Sequence, residues 1–248
     1  MADRLRAGYQ AKFRWLLAKV RPRRLDFGVD LLMRRARALS ESEEVTLGEA
    51  LARVYEFTRW RVKKRLERTV ACRLDGRPLG TDTEPPRFLC DASLGGLARW
   101  LRAAGYEASA MEPGAGGEPV AEAQKKHAVL ITTDSRQAAR MNAAAEGKGQ
   151  PELLWIPSNL SRVRQLGVVL RDLDLEPREP RCMACGAKLR AVPKQEVADR
   201  IPPRTARWKD EYFLCTGCGR LYWQGTHWER IVERLQGERP LAAAAVRP

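Results

Sequence analysis

The stretch PRFLCDASLGGLARWLRAAGYEA, residues 86–108, is the part of the sequence that decides the fold class. Its short apolar run ends on Asp91, and leucines then recur at helical spacing until Gly105. A second short β-rich run, YEASAM, follows at 106–111. A strand, a helix and another strand in this order predict the start of a parallel sheet, with Asp91 at the carboxyl end of its first strand.

The same alternation of strands and helices continues after this unit. It predicts helices near 118–126, 135–145 and 159–171, and strands AVLITTD at 128–134 and ELLWIPS at 152–158. Short β-rich runs separated by helices of about ten residues are typical of parallel strands with crossover connections. We therefore expect an α/β domain with a doubly wound parallel sheet.

Two aspartates occupy equivalent places in this predicted sheet. Asp91 and Asp134 each stand where a strand ends, and this edge of an open parallel sheet forms the crevice in which ligands bind. Each also precedes a helix, so an ordinary N-cap is the alternative for either one. Two equivalent placements favour a site. Glu118 is the candidate third carboxylate, in competition with Glu112 and Glu122.

The amino-terminal part of the chain is predicted to be helical and basic. Apolar residues recur at helical spacing over 3–20, and further helices are expected at 28–39 and after the capping-box pattern of Thr46 and Glu49. The chain carries 45 Lys and Arg against 31 acidic residues, a net charge of +14. Much of this excess lies before residue 88, which favours a polyanionic partner there, although a solvated charged face would look the same.

The segment RWRVKKRLER, residues 59–68, surrounds a tryptophan with cations. Such a segment can bind RNA through phosphate contacts and base stacking, and Trp60 could equally face the core beside an exposed basic face. The candidate RNA-binding residues are Arg59, Trp60, Arg61, Lys63 and Lys64. We place a domain boundary after them, in the stretch RPLGTDTEPPR at 77–87.

Two Cys-x-x-Cys pairs, CMAC at 182–185 and CTGC at 215–218, form the strongest motif in the sequence. Four thiolates from two such turns suit tetrahedral zinc, with Cys182, Cys185, Cys215 and Cys218 as ligands. The stretch between the pairs exceeds the usual spacing and predicts an extended insertion. Disulfides are the alternative, but the chain does not resemble a secreted protein.

Three further residues invite a chemical role. Cys72 and Cys90 are expected to be buried thiols, because no histidine lies near Cys90 in the sequence to activate it as a nucleophile. His227, in GTHWERI, could pack in the zinc-binding module, contact phosphate or reach the acidic cleft. Packing is the simplest of these roles.

The segments FLCDASLGGLARWLRAAGYEA, LITTDSR, RCMACGAKL, EVADRIPPR and YFLCTGCGRLYWQGTHWERI together resemble the Mut-seven C-terminal RNase domain, over about residues 87–236. The resemblance implies a PIN-like fold with a carboxyl-terminal zinc ribbon. It further implies a metal-dependent nuclease in which Asp91, Asp134 and Glu118 hold Mg²⁺ or Mn²⁺ against the scissile phosphate. Cations near the cleft would then attract RNA, and Arg99, Arg102 and Arg136 are the candidates.

Two departures from the PIN-like pattern keep a second function open. Ser158 and Asn159 stand where PIN nucleases often have a fourth acid, which makes a second catalytic metal doubtful. Residues 1–76 are basic helices where bacterial relatives often carry a ubiquitin-like domain. The alternative is therefore a catalytically weak or inactive RNA-binding protein, associated with the ribosome or another ribonucleoprotein; a DNA-binding transcription module ranks low because no recognition helix is evident.

The predicted organisation has five parts. These are a basic helical region at 1–76, a linker at 77–86, a PIN-like domain at 87–175, a zinc ribbon at 176–236 and a tail at 237–248. No stretch reaches the roughly 18 apolar residues of a membrane span, and no compact secretory signal opens the chain. We expect a cytoplasmic protein with no membrane partner.

Overall fold

The computed structural model describes residues 2–73, 84–114, 118–144 and 152–223. Its internal contacts divide the chain into two compact units. The described part of the first unit is 2–73, 84–85, 131–144 and 152–158, and that of the second is 86–114, 118–130 and 159–223. This division does not follow the domains proposed from the sequence, whose boundaries stay a prediction.

Three helices open the first unit: α1 (Ala2–Ala18), α2 (Leu25–Ser42) and α3 (Leu47–Arg73). The predicted apolar face of α1 is buried, and the Phe13 side chain is fully inaccessible to solvent. The ring of Tyr55 on α3 lies 5.7 Å from that of Phe13, which ties the two helices together. The backbone N–H of Glu49 donates to Thr46 Oγ1 at 3.3 Å, so the predicted cap of α3 is confirmed.

Helix α1 also packs on two later elements of the first unit, α6 (Ser135–Ala144) and β4 (Leu153–Trp155). Gly8 is required at this contact, because a Cβ there would lie 2.2 Å from the Trp155 ring. The neighbouring Tyr9 ring meets that of Trp155 edge-on, with centroids 5.6 Å apart. The basic helices therefore share a core with residues that the sequence assigns to the α/β domain.

The predicted α/β architecture is confirmed by a four-stranded parallel sheet accompanied by helices. Its first three strands along the chain are β1 (Arg87–Cys90), β2 (Ala108–Ala110) and β3 (Ala128–Thr132), and the strand order in the sheet is β2-β1-β3-β4. The accompanying helices, besides α6, are α4 (Gly95–Ala103), α5 (Pro119–Lys125) and α7 (Arg162–Asp172). Every residue of β3 is buried, as expected for a central parallel strand covered on both faces.

The strands end earlier than the sequence predicts, and this has a local cause at Asp91. β1 stops at Cys90, and a 3₁₀ turn at Ala92–Leu94 separates it from α4. The apolar face of α4 is buried through Leu97 and Leu101. Gly105 ends this helix region at φ +94°, where a side chain would be strained and a Cβ would approach the carbonyl oxygen of Glu179 to 2.7 Å.

A second, antiparallel sheet holds the cysteine pairs. It consists of β5 (Leu189–Val192), β6 (Tyr212–Cys215) and β7 (Leu221–Trp223), in that order. The predicted insertion between the pairs is confirmed as a 3₁₀ helix at Lys194–Arg200 and a short helix, α8 (Pro203–Ala206). Val197 and Ile201, from the 3₁₀ helix and the residue after it, are buried and pack in one cluster with Tyr212. The insertion thus gives this small sheet an apolar core.

Candidate active site and metal centre

Asp91 follows β1 directly and lies at the carboxyl end of the strand, as predicted. Its Oδ1 accepts hydrogen bonds from the backbone N–H of Ser93 at 3.0 Å and from Ser93 Oγ at 2.5 Å. These bonds cap the following 3₁₀ turn and hold the carboxylate in one orientation, half-exposed to solvent. The N-cap role is therefore present. It does not exclude metal binding, because a carboxylate has two oxygens and about four lone-pair sites.

Asp134 has the same local design at the end of β3. Its Oδ1 accepts from the backbone N–H of Arg136 at 2.8 Å, and its own N–H donates to Thr132 Oγ1 at 2.9 Å. The side chain is exposed, and the carbonyl of Asp134 accepts the first turn of α6. Both aspartates thus cap a helix and present an oriented carboxylate at a strand end.

Glu118 precedes α5 as its N-cap residue, and its side chain makes no capping hydrogen bond and is exposed. Its competitor Glu122 is engaged elsewhere: it pairs with Lys126 at 2.9 Å, and the hydrogen bond from Lys126 lowers the pKa of Glu122. Glu112 is exposed. These contacts favour Glu118 over Glu122 as an available ligand.

Within the described ranges, the structure gathers one group of three or more His, Cys, Asp or Glu ligands, and that group is the cysteine cluster. Asp91 and Glu118 belong to the second compact unit and Asp134 to the first. Their sharing of one metal ion stays a prediction.

The four predicted zinc ligands come together. The sulfurs of Cys182, Cys185, Cys215 and Cys218 all lie within 4.8 Å of one another. The Cys185–Cys215 pair is 3.3 Å apart and the Cys182–Cys218 pair 3.6 Å, close to the spacing of about 3.8 Å that Zn–S bonds of about 2.3 Å give in a tetrahedron. None of the described cysteines is in a disulfide, so that alternative is wrong for these four.

Hydrogen bonds around the cluster favour thiolate ligands. Backbone N–H groups of Gly217 and Cys218 point at Cys215 Sγ at 3.4 and 3.3 Å. Burial acts to raise the pKa of Cys182, but hydrogen bonds from Tyr222 Oη and from backbone N–H groups outweigh it and lower this pKa to about 6. Tyr222 Oη lies 3.1 Å from Cys182 Sγ, and burial raises its own pKa to about 12, so it stays a donor. The donor set fits a zinc ion.

Cys90 is a core thiol, as predicted. Its side chain is fully buried, and burial, reinforced by the charge of Asp91, raises the pKa of Cys90 far above its ordinary value. A thiol held protonated in this way packs as an apolar group. The side chain of Cys72 and the whole of His227 lie outside the described residues, so their predicted roles stay predictions.

Arg102 has a structural role that the sequence did not reveal. Its Nη1 donates to the carbonyls of Met183 and Ala184 at 2.9 and 2.7 Å, and its Nε donates to the carbonyl of Ala108 at 2.7 Å. The carbonyl of Arg102 also accepts from the N–H of Arg181. The guanidinium thereby fastens the first cysteine turn to the end of α4 and to β2.

The other cations predicted near the cleft are exposed. Arg99 lies on α4 in the second unit, and Arg136 lies on α6 in the first unit. The structure adds Arg162, which the sequence did not indicate: a Cβ at Gly96 would lie 2.6 Å from its Nε, so the absence of a side chain at Gly96 lets the guanidinium lie on the first turn of α4. In the sequence, the adjacent Gly95 and Gly96 were the only indication that another group lies against the start of α4.

On α3, the alternative of a core-facing tryptophan is wrong, because Trp60 is 51% exposed. Trp60, Arg61 and Lys64 line a groove of about 1010 Å³ along α2 and α3. Lys63 is exposed, and Arg59 is paired with Glu56 at 3.0 Å. The predicted segment thus presents an aromatic face and cations to solvent.

An α/β domain with aspartates at strand ends, followed by four cysteines that could hold a metal ion, has the features of a nuclease-like protein. The family model of the Mut7-C RNAse domain matches residues 86–235. The chain therefore belongs to the Mut7-C RNAse domain family, and the resemblance inferred from the sequence is confirmed. No curated protein and no solved structure gives a significant match to the chain.

Membership of this family indicates a nuclease and implies an RNA substrate. The four cysteines are positioned to bind a metal ion. Among the helices of the described ranges, none combines the length and apolar character needed to cross a membrane.

Proposed function

We propose that this protein hydrolyses RNA phosphodiester bonds with a divalent ion held by Asp91, Asp134 and Glu118. The observation that carries the proposal is the family match over residues 86–235, combined with Asp91 directly after β1 and Asp134 two residues after the end of β3. These two strands are neighbours in the sheet. Carboxyl ends of neighbouring parallel strands face the same edge, where ligands bind.

The carboxylates would bind the metal and orient it toward the substrate. A bound Mg²⁺ or Mn²⁺ supplies neutralisation of phosphate charge and activation of water. The bonds from Ser93 to Asp91 and from Arg136 to Asp134 fix one oxygen of each carboxylate, which lowers the entropic cost of holding an ion. Because carboxylates repel phosphate, exposed cations such as Arg99, Arg136 and Arg162 would bring the RNA in.

The cysteine cluster would hold a structural zinc ion. Cys182, Cys185, Cys215 and Cys218 leave no ligand position open, which suits a site that stabilises the fold and performs no chemistry. Through Arg102 the first cysteine turn is joined to α4, the helix that follows Asp91. Zinc would thus support the segment that presents the catalytic carboxylate.

The test is Mg²⁺- or Mn²⁺-dependent cleavage of a labelled RNA by the full-length chain with zinc retained. Asp91→Asn keeps the size and capping ability of the side chain and should reduce cleavage by at least a hundredfold, while RNA affinity by fluorescence anisotropy persists. Asp199→Asn, an exposed aspartate in the same unit, is the matched control and should cleave like the wild type. Equal cleavage by the Asp91 variant and the wild type would reject the site.

The second candidate function is RNA binding without efficient cleavage, in association with the ribosome or another ribonucleoprotein. It is favoured by Ser158 and Asn159 in place of a fourth acid and by the exposed aromatic and basic surface on α3. It predicts tight RNA binding and no metal-dependent cleavage in the same assays. A cytoplasmic location stays a prediction under either function.

A further inference from the structure

The groove along α2 and α3 has an apolar floor and a cationic rim. Val54 and Val62 are buried beneath it, whereas Leu31 and Trp60 on its walls are each 51% exposed. Exposing two large apolar side chains in one concave surface is unfavourable unless a partner covers them. The feature therefore indicates a binding surface, and its chemistry identifies the partner.

Aromatic rings and guanidinium groups are interleaved in this groove. The Phe57 ring lies 6.2 Å from that of Trp60, at an interplanar angle of 30°. The guanidinium carbons of Arg35 and Arg61 lie 5.3 and 5.9 Å from the centroid of the Phe57 ring. Planar groups at this spacing offer stacking faces for flat, polarisable ligands, with fixed positive charge beside them.

The charge of the lining is strongly positive. Its basic residues are Arg35, Arg61, Lys64 and Arg65, and its acidic residue is Glu67, which lies 3.2 Å from Lys64. The complementary partner is a polyanion that also carries flat apolar surfaces.

We infer that this groove binds single-stranded RNA, with an unpaired base stacked on the exposed ring of Trp60 and phosphates along the cationic rim. A duplex hides its base faces and presents phosphates and groove edges, so it would leave the apolar floor uncovered. Unpaired nucleotides satisfy floor and rim together. The inference rests on the proposed function for RNA as the substrate and adds that the substrate is held through an unpaired segment, by residues other than those that cut it.

The experiment uses the full-length chain with Asp91→Asn, and the integrity of the RNA is checked on a gel. Fluorescence anisotropy compares a labelled oligouridylate with a labelled RNA duplex of the same length. Trp60→Ala should weaken oligouridylate binding roughly 5- to 150-fold, the range expected for losing one stacked base, and leave duplex binding unchanged. Trp60→Phe, which keeps a stacking face, should retain most of the affinity.

Two matched controls separate the groove from general effects. Trp208→Ala removes a tryptophan that is 79% exposed in the other unit and should not change oligouridylate affinity. Arg61→Gln should reduce the slope of log affinity against log salt by about one, whereas Arg37→Gln, an exposed arginine of α2 outside the groove lining, should not.

Unchanged oligouridylate affinity in Trp60→Ala would overturn the inference, as would an equal loss for the duplex. Competition by polyglutamate as effective as that by oligouridylate would also overturn it, since the groove would then recognise only negative charge, as an acidic protein partner could supply. Cleavage by the Asp91→Asn chain would reject the proposed active site and leave the groove result standing. The two failures are therefore distinguishable.

Discussion

The contact between α1 and Trp155 gives a sharp prediction about stability. Gly8→Ala would place a Cβ 2.2 Å from two ring carbons of Trp155 and 2.5 Å from a third, where carbon atoms normally sit about 3.5–4.0 Å apart. The ring cannot easily move away. It is 4% exposed, its Nε1 donates to the carbonyl of Thr133 at 3.1 Å, and Tyr9 packs against it.

The expected cost follows from two opposing terms. Overpacking a well-packed core costs about 1–3 kcal/mol, and the required displacement of more than an ångström puts this site toward the upper end. Alanine recovers about 1 kcal/mol of helix propensity over glycine. We therefore expect the free energy of unfolding to fall by about 1–2 kcal/mol.

Gly28→Ala on α2 is the matched control, because its Cβ would meet only the flexible end of Leu17, at 3.1 Å. It should be neutral or stabilising by up to about 1 kcal/mol. Circular dichroism should then show the Tm of Gly8→Ala about 2–12 °C below that of Gly28→Ala, given roughly 2–4 °C per kcal/mol for a chain of this size. Equal melting of the two variants would refute the packing of α1 on β4.

Other perturbations test the second unit. Arg102→Met removes the bonds to the carbonyls of Met183 and Ala184; it should cost about 1.5–3 kcal/mol in urea unfolding and speed zinc release to a chromogenic chelator, whereas Arg99→Met should do neither. Cys185→Ser should lower the zinc content of the purified protein, measured by mass spectrometry, from one equivalent toward none; full zinc retention would refute the site. Tyr106→Phe leaves the carbonyl of Glu176 without its donor and should lower the free energy of unfolding in urea by about 1 kcal/mol. Unfolding at the same urea concentration as the wild type would contradict this role of the hydroxyl. Burial raises the pKa of Tyr106, so the stabilisation by its protonated hydroxyl is complete below the ordinary pKa of 10.0 and is lost as the pH rises above that value. The difference in free energy of unfolding between the wild type and Tyr106→Phe should therefore shrink above pH 10.0.

The order of elements and the cysteine cluster could be predicted from the sequence because their signals are local. Period-two and period-3.6 patterns gave each helix and strand of the α/β part to within a few residues, and Asp91 stands directly after β1 as expected. The Cys-x-x-Cys spacing alone predicted that Cys182 and Cys185 would meet Cys215 and Cys218.

Features that depend on distant contacts could not be predicted. Arg102 was predicted to be a cation near the cleft, because the carbonyls that it binds, at Met183 and Ala184, are far along the chain and gave no local signal. The sequence left the orientation of Trp60 open, since a helix that is both aromatic and basic can turn either face outward. The packing of α1 on Trp155 could not be predicted either, because a glycine in a helix does not indicate which residue lies against it.

The contact between Gly8 and Trp155 also bears on how the chain folds during synthesis. Translation at about 5–20 residues per second leaves roughly 7–30 s between the two positions. During that interval α2 and α3 are synthesised and can cover part of the apolar face of α1, but β4 does not yet exist. The part of α1 around Gly8 therefore stays without its partner strand until the residues up to Trp155 have been made.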